Sequence, residues 1–377
     1  MGRNTLLNGL TQLTLILVSF LSYPIIARGV SPEGFGLLAI IWLVVGYLGI
    51  FDLGLGWAAT RSIAQASADD DHSLIRRIGW NAHICGLILG TIIALLLFLF
   101  REILVSDILN FQANLVPDAL ASISLVTLAI PFAVINGISR GIFQGLDRFD
   151  VMNTIQIGMA AVQWIGSIVL VTMGYGVLEI TILIVVARIV FTTASLYWQT
   201  RLIPRLLKPD RVFDVPLIMK VLSFGGWVTI SRVISPLFLY FDRLMIGAVL
   251  SLQAVGFYAV PQEAISRLLI IPMSLTMALF PVFSSAQKTE GIVSTYRRSM
   301  RYLLVINIPL TFALVVFSHD ILDVWMGPEF SLGGGDSFRV LSIGFFFNSL
   351  GQLPLMLLLS RGGAALPAMF HLVEFPF

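Results

Sequence analysis

The run Gly79-Trp-Asn-Ala-His-Ile-Cys-Gly-Leu-Ile-Leu-Gly-Thr-Ile-Ile-Ala-Leu-Leu-Leu-Phe-Leu-Phe100 contains no Asp, Glu, Lys or Arg, and it is bracketed by Arg76-Arg77 and Arg101-Glu102. A helix needs about 20 mostly apolar residues to cross the hydrocarbon of a bilayer. The run therefore reads as a membrane-spanning helix. Applied outward, the same rule places spans near 6–28, 35–59, 79–100, 117–139, 151–173, 176–198, 217–241, 246–270, 300–318 and 338–359, with another starting at 364. Residues 254–286 could equally form one long kinked helix. Prolines inside such segments are tolerated where neighbouring helices or water satisfy the freed backbone groups. The run from Leu6 to Ile26 is longer than a signal-peptide core and has no small-residue cleavage site behind it, so it counts as the first span.

Composition agrees. Of 377 residues, 57% are apolar and 12% charged, with a mean hydropathy of +0.93. Soluble domains carry about 25% charged residues, and a water-facing surface could not be built from so few. A soluble enzyme and a disordered chain are both excluded, and the fold class is an all-α polytopic membrane protein. Cys85 is the sole cysteine, and the four histidines have no ligand spacing, so neither a disulfide framework nor a metal site is expected. A net charge of +2 is too small for nucleic-acid binding, and no Walker-type motif is present. No catalytic residue and no cofactor is expected.

Basic residues sort by side if the N-terminus is cytoplasmic. That side then holds Arg3, Arg61, Arg76, Arg77, Arg140, Arg148, the cluster from Arg201 to Arg211, Lys220, Lys288, Arg297, Arg298, Arg301 and Arg361. The opposite side keeps Arg28, Arg101, Arg243 and Arg339 among eight acidic residues. Such asymmetry is the positive-inside pattern.

An internal repeat runs at an offset of 218 to 221 residues. Ser31-Pro-Glu-Gly-Phe-Gly36 pairs with Ser251-Leu-Gln-Ala-Val-Gly256, Arg76-Arg77 with Arg297-Arg298, Ile103-Leu104 with Ile321-Leu322, and Ser139-Arg140-Gly141 with Ser360-Arg361-Gly362. Each match is weak alone, but four in order at equivalent topological positions are not. With an even number of helices per repeat, the halves are parallel about an axis along the membrane normal. The expected organisation is a six-helix lobe over 1–200, a cytoplasmic linker over 201–215, and a second lobe over 216–377 that stops part-way into an eleventh of twelve or more spans.

The stretches Asn4-Thr-Leu-Leu-Asn-Gly9, Ala27-Arg-Gly-Val-Ser-Pro-Glu-Gly-Phe-Gly36 and Phe51-Asp-Leu-Gly-Leu-Gly56 resemble the polysaccharide-biosynthesis flippases. These are the O-antigen and exopolysaccharide branch of the multidrug/oligosaccharidyl-lipid/polysaccharide exporter superfamily. Phe241-Asp-Arg-Leu-Met-Ile-Gly247, Val255-Gly-Phe-Tyr258 and Leu279-Phe-Pro-Val-Phe283 resemble the seventh and eighth helices of the same family. The resemblance implies a V-shaped pair of six-helix lobes around a central cavity. It further implies translocation of an undecaprenyl-diphosphate-linked oligosaccharide across the inner membrane by alternating access, with membrane lipid, polysaccharide polymerase and glycosyltransferases as partners.

Charges inside spans are costly, roughly 2.5–3.5 kcal/mol on insertion scales, and those that remain face a cavity or a partner. The candidates are Arg28, Asp52, Arg188, Arg232, Asp242, Arg243, Glu263 and Arg267. A guanidinium suits a diphosphate through forked, charge-assisted hydrogen bonds. Each candidate has a plainer reading. Arg28 can snorkel to the interface, Asp52 can join a structural ion pair, Asp242-Arg243 can close its helix as a local pair, and Glu263 and Arg267, spaced i,i+4, can neutralise each other. Arg232 lies deep in its helix, and Arg188 lies near mid-helix in a segment that could pack peripherally. Glycines at 34, 36, 54 and 56 point to close helix packing or hinges rather than to a phosphate loop. Trp57, Trp164 and Trp227 are candidates for stacking on sugar rings. The competing functions are a drug or cation exporter of the same superfamily, which an acidic cavity would suit, and a membrane glycosyltransferase, polymerase or ligase. The latter would need a sizeable outward loop with paired catalytic groups, and the loops near 101–116 and 319–337 are short and lack them.

Overall fold

The computed structural model describes residues 2–47, 54–109, 115–204, 206, 214, 241–284 and 289–360. The expected start at 364, and all of the expected span over 217–241 except its last residue, lie outside the described residues. Twelve α-helices are present among those described: α1 (Gly2–Gly29), α2 (Pro32–Tyr47), α3 (Leu55–Ala68), α4 (His72–Ile103), α5 (Val116–Gly145), α6 (Phe149–Thr172), α7 (Val177–Leu202), α8 (Leu252–Leu268), α9 (Ile270–Ser284), α10 (Thr289–Val316), α11 (Ser318–Met326) and α12 (Pro328–Ser360). Residues 241–249 are also helical. Eight of the helical segments are long and apolar enough to cross a membrane: Thr11–Gly29, His72–Ile108, Val116–Gly145, Phe149–Thr172, Val177–Leu202, Leu252–Thr276, Gly291–Val316 and Pro328–Leu358. Large apolar side chains such as Leu99, Phe100, Val305 and Phe312 lie more than half exposed. That is the outward face an integral membrane protein presents to lipid.

Helix boundaries follow local signals. The expected span over 35–59 is divided between α2 and α3, and Gly54, which opens α3, sits at φ 75°, a left-handed conformation that favours glycine. The expected helix over 79–100 extends back to His72, where the Asp71 carboxylate accepts from the Leu74 N–H at 2.9 Å. It continues past Ile103 into a π-helical turn over Leu104–Ile108. The expected span over 246–270 begins only at Leu252, because the Ser251 hydroxyl accepts from the Ala254 N–H at 3.1 Å and caps the helix. Ser31 does the same for α2, accepting from the Gly34 N–H at 3.1 Å. The paired serines of the repeat thus start equivalent helices. The long kinked helix expected over 254–286 is the succession α8–α9, interrupted at Leu269.

Contacts divide the chain into two compact units, Met1–Gly256 and Phe257–Phe377. In the first, α5 is the central helix, touching α2, α3, α4, α6 and α7. Its face carries Val134, Ile138 and Ile142 into a core with Ala58, Ala59 and Ile63 of α3 and Ile75, Ile78 and Ala82 of α4. The crossing of α3 and α5 is made of small residues. A Cβ on Gly141 would run into the Gly56 carbonyl, and one on Gly145 would stand 2.8 Å from the Thr60 carbonyl oxygen. Thr60 Oγ1 lies 2.9 Å from the carbonyl oxygens of both Gly56 and Gly141, so its hydroxyl can donate across the gap. The Gly-Leu-Gly motif at 54–56 therefore serves turn geometry at its first glycine and close packing at its second.

In the second unit, α12 is the central helix, packed on α9, α10 and α11. Phe283, Ile292, Leu303 and Leu353 form its core. The run Gly333-Gly-Gly335 lies against Phe257 and His319, where a Cβ on Gly334 would stand 2.6 Å from the Phe257 carbonyl oxygen. Gly327, at φ 100°, makes the turn between α11 and α12 in a conformation that L side chains rarely adopt. The element order repeats: a helix, a shorter helix, a long helix, a brief continuation and a long central helix occur as α2, α3, α4, the π-turn and α5, and again as α8 to α12.

Candidate functional site

Within the first unit, Arg188 is a half-buried candidate. It lies near the middle of α7, a helix packed between α5 and α6. Among the described residues no acidic side chain pairs with it, and the charge that acts on it is Arg140 of α5. A guanidinium in such a position can donate forked, charge-assisted hydrogen bonds to an anion. Arg140 belongs to the Ser139-Arg140-Gly141 motif of the repeat, which sequence reasoning assigned only to the cytoplasmic rim. Nothing in the chain's spacing announced its closeness to Arg188, since the two residues are brought near by the packing of α5 on α7.

The same motif holds a buried histidine. His83 of α4 is 2.6 Å from the Gly79 carbonyl through Nδ1 and 3.3 Å from the Ser139 hydroxyl through Nε2. A carbonyl only accepts, so Nδ1 carries a hydrogen, while Nε2 faces a hydroxyl that can donate or accept. Two residues earlier, Asn81 donates to the Arg77 carbonyl at 2.8 Å and accepts from the Asp214 N–H at 2.8 Å, while Arg77 pairs with the Asp214 carboxylate. The segment expected to link the halves is thereby tied to α4.

The remaining candidates are dispersed. Arg28 is exposed in the last turn of α1, the position of a snorkelling side chain. Arg243 is buried, at 4% exposure, and its N–H donates to the Asp242 carboxylate at 2.7 Å. Glu263 and Arg267 form an i,i+4 ion pair on α8 in the second unit, which is the self-neutralising arrangement their spacing suggests. Asp52 and Arg232 lie outside the described residues. Of the tryptophans, Trp164 packs in an aromatic group with Tyr23 and Trp42 at ring distances of 5.3 and 5.1 Å, Trp57 is half exposed on α3, and Trp227 lies outside the described residues. Trp164 therefore spends its ring on helix packing. No group of three or more His, Cys, Asp or Glu side chains that could hold a metal ion occurs among the described residues.

The profile of the polysaccharide biosynthesis protein family matches residues 1–287. The chain belongs to that family. As a polysaccharide biosynthesis protein, it is 28% identical over 363 residues to a Shigella flexneri protein named "Putative O-antigen transporter", covering 96% of this chain and 84% of that one. It is 23% identical over 328 residues to the succinoglycan biosynthesis transport protein ExoT of Rhizobium meliloti (strain 1021), covering 83% of this chain and 60% of ExoT. Among solved structures, its fold is similar to an inward-facing multidrug resistance MATE family transporter of the MOP superfamily. The TM-score is 0.74 at 14% identity, over 93% of this chain and 82% of that one. The fold is thus shared with that structure, and the resemblance first drawn from short motifs is to the family whose profile matches.

Proposed function

We propose that this polysaccharide biosynthesis protein translocates an undecaprenyl-diphosphate-linked oligosaccharide across the cytoplasmic membrane by alternating access, for surface polysaccharide assembly. The observation that carries the reading is Arg188, a cation within a spanning helix whose described charged neighbour is another cation, Arg140. A diphosphate takes forked hydrogen bonds from both groups, and the low dielectric of the bundle strengthens them. The relatives named as O-antigen and succinoglycan transport proteins support the same substrate class. In this reading Arg28, Asp52, Arg232, Asp242, Arg243, Glu263 and Arg267 are secondary, contributing to the path or to its scaffold. The N-terminus is cytoplasmic, the membrane is the inner one, and the polymerase and glycosyltransferases of the pathway act before and after transfer. No bond is made or broken in the translocation step.

The multidrug transporter of similar fold favours a second reading, export of an organic cation. Arg188 and Arg140 oppose it, because a cationic substrate would add a third like charge to the site. Reconstituted protein separates the readings. Transfer of a fluorescent undecaprenyl-diphosphate oligosaccharide between leaflets, without accumulation of a lipophilic organic cation, is the expected result. Cation accumulation with no lipid transfer would overturn the first reading.

A further inference from the structure

Within the first unit, α4 and α5 leave a groove of about 660 Å³ between them. Leu87, Thr91, Leu95 and Phe98 line it from α4, at the spacing of one helix face, and Leu128 and Phe132 line it from α5. Leu87, Leu95, Phe98 and Leu128 are exposed, so the groove opens toward lipid. Its hydroxyls are turned back on their own helices. Thr91 donates to the Leu87 carbonyl at 2.7 Å, Ser124 to the Leu120 carbonyl at 2.6 Å, and Thr127 to the Ser124 carbonyl at 2.7 Å. What complements such a lining is hydrocarbon.

The length and one end of the groove narrow the choice of occupant. From Leu87 to Phe98 it follows α4 for about 16 Å, at a rise of about 1.5 Å per residue. That is half of the roughly 30 Å hydrocarbon core, the depth of one leaflet. Arg101 stands one turn beyond Phe98, half-buried in the last turn of α4. Its guanidinium lies 3.8 Å from the centroid of the Phe98 ring and donates to the Phe98 carbonyl at 2.8 Å. It also stands 3.5 Å from the Glu102 carboxylate, which is 72% exposed. An ion pair so open to solvent is weak, and a guanidinium carries five N–H donors. An apolar groove one leaflet deep with a cation at its mouth complements an amphiphile with a chain of that length and an anionic head. An undecaprenyl chain is far longer than the groove, whereas the acyl chain of a bilayer phospholipid reaches from the interface to the midplane.

We propose that the α4–α5 groove is a binding site for an anionic phospholipid of the bilayer, with one acyl chain along Leu87 to Phe98 and the phosphate on Arg101. The site is independent of what the protein transports. In the test, full-length protein in detergent is irradiated with phosphatidylglycerol carrying a diazirine on one acyl chain, and the adducts are mapped by mass spectrometry. Adducts should concentrate in residues 87–98 and 124–135 and be chased by plain phosphatidylglycerol but not by phosphatidylcholine. They should fall several-fold in R101Q, and likewise in T91W, which fills the groove from an exposed position. R101K, which keeps the charge, should retain most of the labelling. Adducts spread over all the lipid-facing helices and indifferent to R101Q would mean ordinary annular lipid and overturn the site. A chase by phosphatidylcholine as effective as by phosphatidylglycerol would overturn the anionic head. A chase by undecaprenyl phosphate at far lower concentration than by phosphatidylglycerol would assign the groove to a polyprenyl chain and overturn the phospholipid. Should R101Q and T91W fail to purify, E102Q decides. Removing the competing carboxylate should raise the adduct yield, and an unchanged yield would overturn the part given to Arg101.

Discussion

At the scale of single residues, a membrane interior makes charge informative because it makes charge costly, and the candidates separate by whether that cost is already met. Glu263 and Arg267 meet it for each other on one helix face, and Arg267 remains 38% exposed at its side chain. Exposed pairs of this kind are worth about 0.2–1 kcal/mol. A double-mutant cycle of E263Q and R267Q, read as unfolding free energies in detergent, should give a coupling within that range. Arg188 differs, since among the described residues its charged neighbour has the same sign. Replacing it removes a charge-assisted hydrogen-bond donor, worth roughly 1.5–3 kcal/mol, so R188Q should weaken binding of lipid diphosphate by about 10- to 100-fold. R188K keeps the charge but loses the fork, and should fall between R188Q and the parent. A binding titration of the purified variants with undecaprenyl diphosphate checks both, and equal affinities for parent and R188Q would exclude Arg188 from the site. Neither variant should lower the unfolding temperature, because R188Q relieves repulsion with Arg140 rather than breaking a pair.

At the scale of helices, the sequence pattern supplied existence and the packing supplied boundaries. Mostly apolar runs of about 20 residues locate α1, α4, α5, α6 and α7 to within seven positions, because lipid imposes a minimum length that few soluble segments meet. The same rule merged α2 with α3, since hydropathy is blind to backbone direction and Gly54 changes direction without changing polarity. Glycine identity alone could not tell which glycines are packing devices. Gly141 abuts the Gly56 carbonyl, whereas Gly344 and Gly351 of α12 have open space where a Cβ would stand. The three therefore predict opposite outcomes for one substitution. G141A forces α3 from α5 and should destabilise by about 1–3 kcal/mol, the usual cost of overpacking. G344A and G351A should instead stabilise by about 0.4–1 kcal/mol, by restricting the unfolded chain at helical positions with room for a methyl group. Thermal unfolding followed by fluorescence-detected gel filtration reads all three, and a destabilised G344A paired with a neutral G141A would contradict the glycine contacts.

At the scale of the whole molecule, what was legible was class; the gathering of site residues was not. Arg140 and Arg188 are separated by an entire helix in the chain, and only the packing of α5 on α7 brings their charges within range. The four short matches of the sequence stand beside a similar order of helices among the described residues, α2 to α5 and then α8 to α12. Orientation follows from the same charges. The turn between α3 and α4 carries Asp69, Asp70 and Asp71 beside Arg76 and Arg77, and Arg61 precedes it. The turn between α6 and α7, by contrast, holds Gly174, Tyr175 and Gly176 and no basic residue. Positive residues near helix ends are retained on the cytoplasmic side, while acidic ones contribute little to the choice. The first turn should therefore be cytoplasmic. One full span, α4, leads from it to the outside, α5 returns, and α6 leads out again to the second turn. Single cysteines at D69C and Y175C, both exposed positions, in a C85S background test this directly. An impermeant maleimide applied to intact cells should label Y175C and spare D69C, and permeabilisation should expose D69C. Labelling of D69C in intact cells would invert the molecule and carry Arg201 to Arg211 to the outer face.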